Sequence, residues 1–219
     1  MVTINEIKNN LEIRALLEAA DRQLVVNGYT EHAFRHIGIV SKKAGEILEK
    51  LGYSEREIEL AKIAGFLHDI GNAINRTDHP HTGAILAYNI LSKIGMDIND
   101  TVEVILAIGH HDENTGNAVS AISAAVILAD KSDVHRERVR NTDLSKFEIH
   151  DRVNYAVAKS SLIIDAEYKK IVLDLTIDTE ICPVMDYFEI FLYRMTMNRK
   201  AASFLGLTFQ LVVNNTRLL

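Results

Sequence analysis

Apolar residues recur at helical spacing from the N-terminus to about residue 140. Gly-containing turns interrupt this pattern, for example at Asn27-Gly28 and at Gly52. Ser54 and Glu57 have the spacing of a capping box, which marks the start of a helix. The helix that follows carries apolar residues at Ile58, Ala61, Ile63, Phe66 and Leu67. The pattern therefore predicts one helix after another across this part of the chain.

The pattern changes beyond Lys159, where two β-rich runs flank a polar centre in SSLIIDAEYKKIVLDLTID. A hairpin is the expected structure. Pro183 suits the first turn of a helix that Gly206 ends, and LTFQLVV then reads as another strand. We therefore predict a mainly α protein, with a helical domain over residues 1–145 and a small ββαβ (α+β) appendage over residues 146–219.

Composition and charge narrow the possible partners. The single cysteine, Cys182, permits no intramolecular disulfide and fits a reducing cytoplasm. A formal charge of −6 and a pI near 5.8 give no broad basic surface for a nucleic-acid polymer. The sequence contains neither a signal peptide nor an apolar run of the roughly 20 residues that a membrane span needs. We expect a cytoplasmic protein without a nucleic-acid or membrane partner.

Histidines and acidic residues collect where the predicted helices begin and end. His68-Asp69 ends an apolar helix, His79 opens the next, and the pair His110-His111 ends a third. Asp130 ends the apolar run AISAAVILAD, where a carboxylate is costly to bury unless it is paired, hydrogen-bonded or bound to a metal. Imidazole and carboxylate without thiolate favour iron, manganese, cobalt, nickel or zinc over calcium and magnesium.

The order of these residues resembles the HD superfamily over roughly residues 30 to 138. The elements that carry the resemblance are His32-x-x-Arg35, His68-Asp69-Ile70-Gly71, His79-Pro80-x-x-Gly83, His110-His111 and Asp130. A single HD dipeptide occurs by chance, as at His150-Asp151, but all elements in order are specific.

The resemblance implies an HD-type helical bundle that holds one or two divalent metals. Asp69 would bridge the two ions. His32, His68 and Asp130 would complete the first site, and His79 with either His110 or His111 would form the second. Neighbouring histidines on a helix point about 100° apart, and the choice between these two stays open.

The implied activity is hydrolysis of a phosphoester by a metal-activated hydroxide. Besides Asp69, Glu113 and Lys131 are candidate catalytic residues because they could move protons. The candidate substrate-binding residues are Arg35, Asn72, Arg136 and Arg138. For the last two, a solvated helix face is an equal alternative to a phosphate clamp.

Two departures from the HD-GYP branch of the superfamily argue against cyclic di-GMP as the substrate. The sequence has HDIGN in place of HDIGK, and HHDENTG lacks the GYP sequence. The segments HHDENTGN and LADKSDVHRER instead resemble, locally, the HD hydrolases that split dinucleoside tetraphosphates. The expected substrate is a small phosphorylated molecule such as a nucleotide or dinucleotide.

Other interpretations concern the remaining histidines and the function class. We expect His36 to be exposed or to lie behind the ligands, His81 to lie on the surface, and His135 and His150 to be solvated. A di-iron oxygenase on the same scaffold is an alternative function, because it would use a similar ligand set. A non-enzymatic ligand sensor is a third possibility, although an intact ligand set argues against it. A homodimer is also expected.

Overall fold

The computed structural model describes residues 1–29, 34–141, 143 and 147–219. Its helices are α1 (Ile4–Asn9), α2 (Leu11–Val26), α3 (Phe34–Lys50), α4 (Glu55–Leu67), α5 (His79–Lys93), α6 (Ile98–Gly109), α7 (Ala121–Ser132), α8 (Ile149–Ala156) and α9 (Val184–Phe204). The strands are β1 (Val157–Asp165), β2 (Lys170–Ile177), β3 (Thr208–Val213) and β4 (Thr216–Arg217). Short 3₁₀ turns cover Ile70–Ala73 and Arg136–Arg138.

Helix α7 forms the centre of the helical bundle. Every residue from Ile122 to Ser132 is buried, and the helix packs against α3, α4, α6 and α9. Small side chains such as Ala124, Ala125 and Ala129 let these neighbours approach from all sides. Asp130 and Lys131 therefore lie inside the protein, at the end of its most buried helix.

Helix α4 begins at the predicted capping box. Glu57 N donates to Ser54 Oγ at 3.3 Å, and Ser54 N donates to Glu57 Oε2 at 2.9 Å. These bonds satisfy amide groups that the first turn of a helix leaves free. The helix then runs to Leu67, and His68 follows as its C-terminal cap residue.

Two glycines permit close backbone approaches near the end of α4. A Cβ atom on Gly65 would lie 3.0 Å from Ser41 Cα, so the residue type brings α3 and α4 together. A Cβ atom on Gly71 would overlap the His79 carbonyl and lie 2.6 Å from Gly83 N. The glycine after His68-Asp69 is therefore needed to bring the start of α5 against this turn.

The C-terminal part has the predicted ββαβ order, which confirms the α+β appendage. β1 and β2 form the antiparallel hairpin, and β3 joins β2 in parallel after α9. Two elements were not predicted, namely α8 before the hairpin and the short β4 beside β3. Helix α9 packs against β3 on one side and α7 on the other, which links the sheet to the bundle.

The helices of the described residues do not include a membrane span. No helix there combines the length and the apolar character needed to cross a bilayer.

Candidate metal centre

Side chains from several helices meet in one buried group, which we call the His/Asp cluster. Its members come from α3, the end of α4, the start of α5, the turn after α6, and α7. Their exposed fractions run from 0% for His36 to 7% for Asp130. The cluster consists of His36, His68, Asp69, His79, His111 and Asp130.

One half of the cluster is formed by His36, His68 and Asp130. Asp130 Oδ1 lies 3.2 Å from His36 Nε2 and 3.7 Å from His68 Nε2. Asp69 Oδ2 reaches the same half, at 3.3 Å from His68 Nε2 and 4.0 Å from His36 Nε2. The two imidazoles and Asp130 can each offer one ligand atom to a common ion.

The other oxygen of Asp69 faces the second half of the cluster. Asp69 Oδ1 lies 3.3 Å from His79 Nε2 and 3.7 Å from His111 Nε2, and the two nitrogens are 3.1 Å apart. The Asp69 carboxylate thus stands between two groups of histidines. This is the arrangement that a bridging ligand requires.

The outward-facing Nδ1 atoms of the histidines have acceptor partners that set the orientation of each ring. Nδ1 of His68 donates to Gly65 O at 2.9 Å, and Nδ1 of His111 donates to Ile108 O at 2.7 Å. His79 Nδ1 donates to the Arg76 carbonyl at 2.9 Å.

His36 uses a carboxylate in the same way. Its Nδ1 lies 2.7 Å from Asp133 Oδ2, at the end of α7. With Nδ1 held in this way, Nε2 of each ring points into the cluster, as in histidine ligands of metals.

Several of these inward-facing atoms lack a good hydrogen-bond donor. His68 Nε2 and Asp69 Oδ2 are buried and, within the described residues, have no hydrogen-bond partner. His79 Nε2 and His111 Nε2 approach to 3.1 Å, although both are acceptors when the rings are neutral. Such contacts are stabilised by a shared cation, so the donor set fits bound metal.

The spacing of the ligand atoms also fits. In a tetrahedral site with ligand distances near 2.1 Å, neighbouring ligand atoms lie roughly 3.4 Å apart. The three separations among Asp69 Oδ1, His79 Nε2 and His111 Nε2 run from 3.1 to 3.7 Å. All of these ligands are nitrogen or oxygen, which suits first-row transition metals.

The electrostatics keep most of the cluster in its ligating state. Burial raises the pKa of Asp69, but His68, His111 and His79 outweigh it and hold that pKa well below its usual value. Burial also opposes ionisation of Asp130, and Lys131 and His36 overcome it to lower that pKa. Burial lowers the pKa of His111 to about 4, so this imidazole is neutral at pH 7.

The comparison with family models decides the family. The model described as the HD domain matches residues 33–144, which is just over half of the chain. The chain belongs to the HD domain family. The matched residues include helices α3 to α7, and the His/Asp cluster contains the His68-Asp69 pair.

Curated relatives of this HD protein fall into two groups. It is 35% identical to ribonuclease Y of Lawsonia intracellularis over 104 residues, which cover 47% of this chain and 18% of the relative. It is 30% identical to ribonuclease Y of Enterococcus faecalis over 132 residues, covering 60% of this chain and 24% of the relative. The chain thus spans about a fifth to a quarter of the length of these ribonucleases.

A relative of similar length comes from Methanocaldococcus jannaschii. This uncharacterized protein is 28% identical over 200 residues, covering 80% of this chain and 76% of its own length. Among solved structures, a predicted HD superfamily hydrolase from an uncultured Thermotogales bacterium matches with 25% identity and a TM-score of 0.44. That match covers 61% of this chain and 75% of the other.

The HD protein brings four of the predicted ligands together in the His/Asp cluster, along with one of the two adjacent histidines between which the sequence left the choice open. His68, Asp69, His79 and Asp130 lie there, and of the two adjacent histidines it is His111 that joins them. His110 is the half-buried cap residue at the end of α6. His32 lies outside the described residues.

His36 is not exposed, contrary to one of the two positions expected for it. Its side chain is fully buried, and its Nε2 directly faces Asp130 Oδ1. The reason lies in α3, whose buried face includes Val40 and Ala44 at steps of four residues. His36 continues this face toward the cluster. His81 and His150 are exposed as expected, whereas His135 is half-buried and bonded to Ala158 O.

The four predicted substrate-binding residues contact different partners, among them Asp69, Asp133 and Tyr155. Asn72 is buried and its Nδ2 donates to Asp69 Oδ1 at 2.8 Å, so it orients that carboxylate. Arg35 lies 3.6 Å from Asp133 Oδ1, and Arg136 lies over the Tyr155 ring. Arg138 is only 2% exposed and donates to the Asp133 carbonyl at 2.7 Å, so it does not lie on the solvated helix face that was one of its two expected positions.

The two predicted proton-transfer residues form a chain of ion pairs beside the cluster. Lys131 Nζ lies 2.8 Å from Asp130 Oδ2 and 2.5 Å from Glu113 Oε2. Arg194, on α9, completes the chain with a 3.0 Å bond to Glu113 Oε1. Burial would raise the pKa of Glu113, but Lys131 and Arg194 together lower it well below its usual value. Glu113 is therefore ionised and poorly suited to donate a proton.

Lys131→Met is expected to lower the free energy of unfolding by about 3 kcal/mol, because it leaves Asp130 and Glu113 without their shared cation. Lys93→Met is the matched control, since Lys93 forms an exposed pair with Glu12 and such pairs contribute little. Chemical denaturation in the presence of a chelator measures the free energy of unfolding of both variants. Equal stability losses would show that the Lys131 pairs contribute no more than surface ones.

A cleft opens beside the second half of the cluster. It has a volume of about 360 Å³, and its lining is polar and charged. Among the residues that line it are Arg76, His79, His81, Glu113, Asn114 and Thr115.

Three residues around the cluster were not predicted. Asp133 follows Asp130 by one helical turn, so the helical period could have indicated it. The position of Arg76 beside the cluster depends on the path of the loop before α5. Arg194 meets a residue 81 positions away, and no local pattern signals that contact.

Proposed function

We propose that this HD protein is a metal-dependent phosphohydrolase that acts on a small phosphoester. Its cofactors would be one or two divalent transition metals, with iron, manganese, cobalt, nickel and zinc as candidates. The observation that carries the proposal is the pair of inward-facing acceptor groups that share Asp69. Family membership supports the same conclusion.

The ligand assignment follows the distances. His36, His68 and Asp130 would hold one ion, and His79 and His111 would hold the other. Asp69 would bind both through its two oxygens. Asn72 donates to Asp69 Oδ1 and fixes the orientation of this carboxylate.

When bound, divalent ions lower the pKa of a water molecule and screen the phosphoryl oxygens in hydrolysis. The surrounding residues would prepare the site for an anionic substrate. Lys131 supplies positive charge next to Asp130, and Glu113 and Arg194 hold its ammonium group in place. Burial of the cluster strengthens each of these interactions by excluding water.

The cleft is polar, but its lining includes Asp78, Asp112 and Glu113 as well as Arg76, so an anionic substrate would depend on the bound metal ions to offset these carboxylates. Its charged and amide side chains suit a phosphorylated molecule better than an apolar one. Nucleotides and dinucleotides are the candidates that we propose first. Relatives named ribonuclease Y make an RNA phosphodiester a necessary comparison. Cytoplasmic location and a homodimer stay predictions.

Metal analysis combined with a substrate screen tests the proposal. Purified protein is expected to contain a transition metal and to hydrolyse a member of a panel of phosphomonoesters, nucleotides, dinucleotides and a short RNA. A chelator should remove both the metal and the activity, and manganese, iron, cobalt or nickel should restore them. His150→Ala, an exposed substitution on α8, serves as the control with unchanged metal content.

Absence of metal binding after reconstitution would contradict the proposal, as would hydrolysis that survives complete metal removal. An oxygen electrode distinguishes the oxygenase alternative. Oxygen consumption that depends on iron and on an organic substrate, without phosphate release, would replace the phosphohydrolase with that activity.

A further inference from the structure

Arg76 places a positive charge against the second half of the His/Asp cluster. Its Nη1 lies 3.3 Å from His79 Nε2 and 3.6 Å from Asp69 Oδ1, and it is 3.3 Å from Asn72 Oδ1. Two of these atoms are ligands in the proposed second metal site. The guanidinium is the cation that faces them.

The distances place Nη1 at a particular position relative to that site. Asp69 Oδ1 and His79 Nε2 are themselves 3.3 Å apart, so Nη1 forms a nearly equilateral triangle with them. In a tetrahedral site all ligand atoms have such separations. Nη1 therefore lies within ligand-to-ligand distance of both Asp69 Oδ1 and His79 Nε2, next to where the second ion would be held.

A guanidinium cannot remain there beside a divalent ion. The group has no lone pair to offer and keeps its positive charge at all ordinary pH values. Two cations at such a separation repel strongly in a buried site. Arg76 and the second ion consequently compete for Asp69 and His79.

The same side chain is able to move away. It is 28% exposed, and it lines the cleft together with His79 and Glu113. Its three contacts of 3.3 to 3.6 Å are longer than strong charge-assisted hydrogen bonds of about 2.8 Å. Movement into the cleft would bring a bidentate phosphate-binding group beside the second site.

We infer that Arg76 is a displaceable gate at the second metal position, which gives way to the second ion and then binds the substrate phosphate in the cleft. This inference rests on the proposed function and extends it to a specific substrate-binding residue. It assigns Arg76 two opposite effects, since the same charge disfavours the second ion and favours the phosphate group.

Titration of the full-length protein with Mn²⁺ tests the first effect. Arg76→Met and Arg76→Gln both remove the charge, and each is expected to bind the second Mn²⁺ about tenfold more tightly than the wild type. The first, tighter equivalent should be unchanged. Arg22→Met, which removes an exposed arginine of α2, is the matched control and should not alter either equivalent.

Titration of the manganese-loaded proteins with inorganic phosphate tests the second effect. Both neutral variants are expected to bind phosphate about tenfold more weakly. An unchanged or weaker affinity for the second Mn²⁺ would overturn the gate, and unchanged phosphate affinity would overturn the substrate role. If the wild type binds no metal, the proposed function fails as well, whereas metal binding and hydrolysis with unaltered Arg76 variants would refute this inference alone.

Discussion

Asp69→Ala is expected to abolish hydrolysis and to remove both metal equivalents. Each oxygen of this carboxylate faces one half of the cluster, and Asp69 is the residue that both halves share. Its loss leaves the neutral histidines without the negative charge that would offset two divalent ions. Substitutions behind metal ligands already cost about 10- to 100-fold in affinity or activity, and removal of a shared ligand should exceed that.

Metal content after reconstitution and phosphate release give the two readouts. Asp69→Asn keeps the shape of the side chain and should fail in the same way, because the amide supplies no charge. Asp174→Asn is the matched control, since this half-buried carboxylate lies on β2 of the C-terminal sheet. Hydrolysis at the wild-type rate by either Asp69 variant would refute a bridging role.

Local sequence signals predicted much of the architecture because they depend on neighbouring residues. The bonds between Ser54 and Glu57 start α4 where the capping box indicated, and that start fixes where His68 and Asp69 emerge. The hairpin and the helix after Pro183 followed from equally local patterns. The extra helix α8 is only eight residues long and offers a weak periodic signal.

The sequence predicted those site residues for which the position in a helix is enough to indicate the role of the side chain. Asp130 had to find a partner because it ends a helix that is otherwise apolar. The choice between His110 and His111 needed the turn itself, since α6 ends at Gly109 and His111 lies two residues beyond it. Its ring is then held by the Ile108 carbonyl, a bond that spacing along an ideal helix does not predict.

The remaining site residues were not predicted because their roles depend on contacts between residues far apart in the sequence. Arg194 reaches Glu113 from α9, so the C-terminal part of the chain supplies charge to a site that the motif assigned entirely to the helical domain. Nothing in the sequence around Arg194 indicates this contact. The ion pairs that run from Arg194 through Glu113 and Lys131 to Asp130 connect the appendage with the cluster. The appendage therefore contributes charge to the site as well as packing.

His36 and His32 provide the sharpest test of the ligand assignment. Motif order indicates His32, whereas the structure brings His36 Nε2 to 3.2 Å from Asp130 Oδ1 and bonds its Nδ1 to Asp133. His36→Ala is therefore expected to lose one metal equivalent and at least about 100-fold in activity. His32→Ala is the matched control, with the same chemical change four residues earlier.

The comparison separates the two assignments because each variant removes one imidazole, at positions four residues apart in the sequence. Metal stoichiometry and phosphate release should fall for His36→Ala and stay near the wild-type values for His32→Ala. The opposite ranking would return the ligand to His32. Asp133→Asn extends the test, because it weakens the bond that holds His36 Nδ1. This variant should reduce metal affinity by less than His36→Ala does. That order of effects is expected only if His36 binds the ion and Asp133 orients its ring.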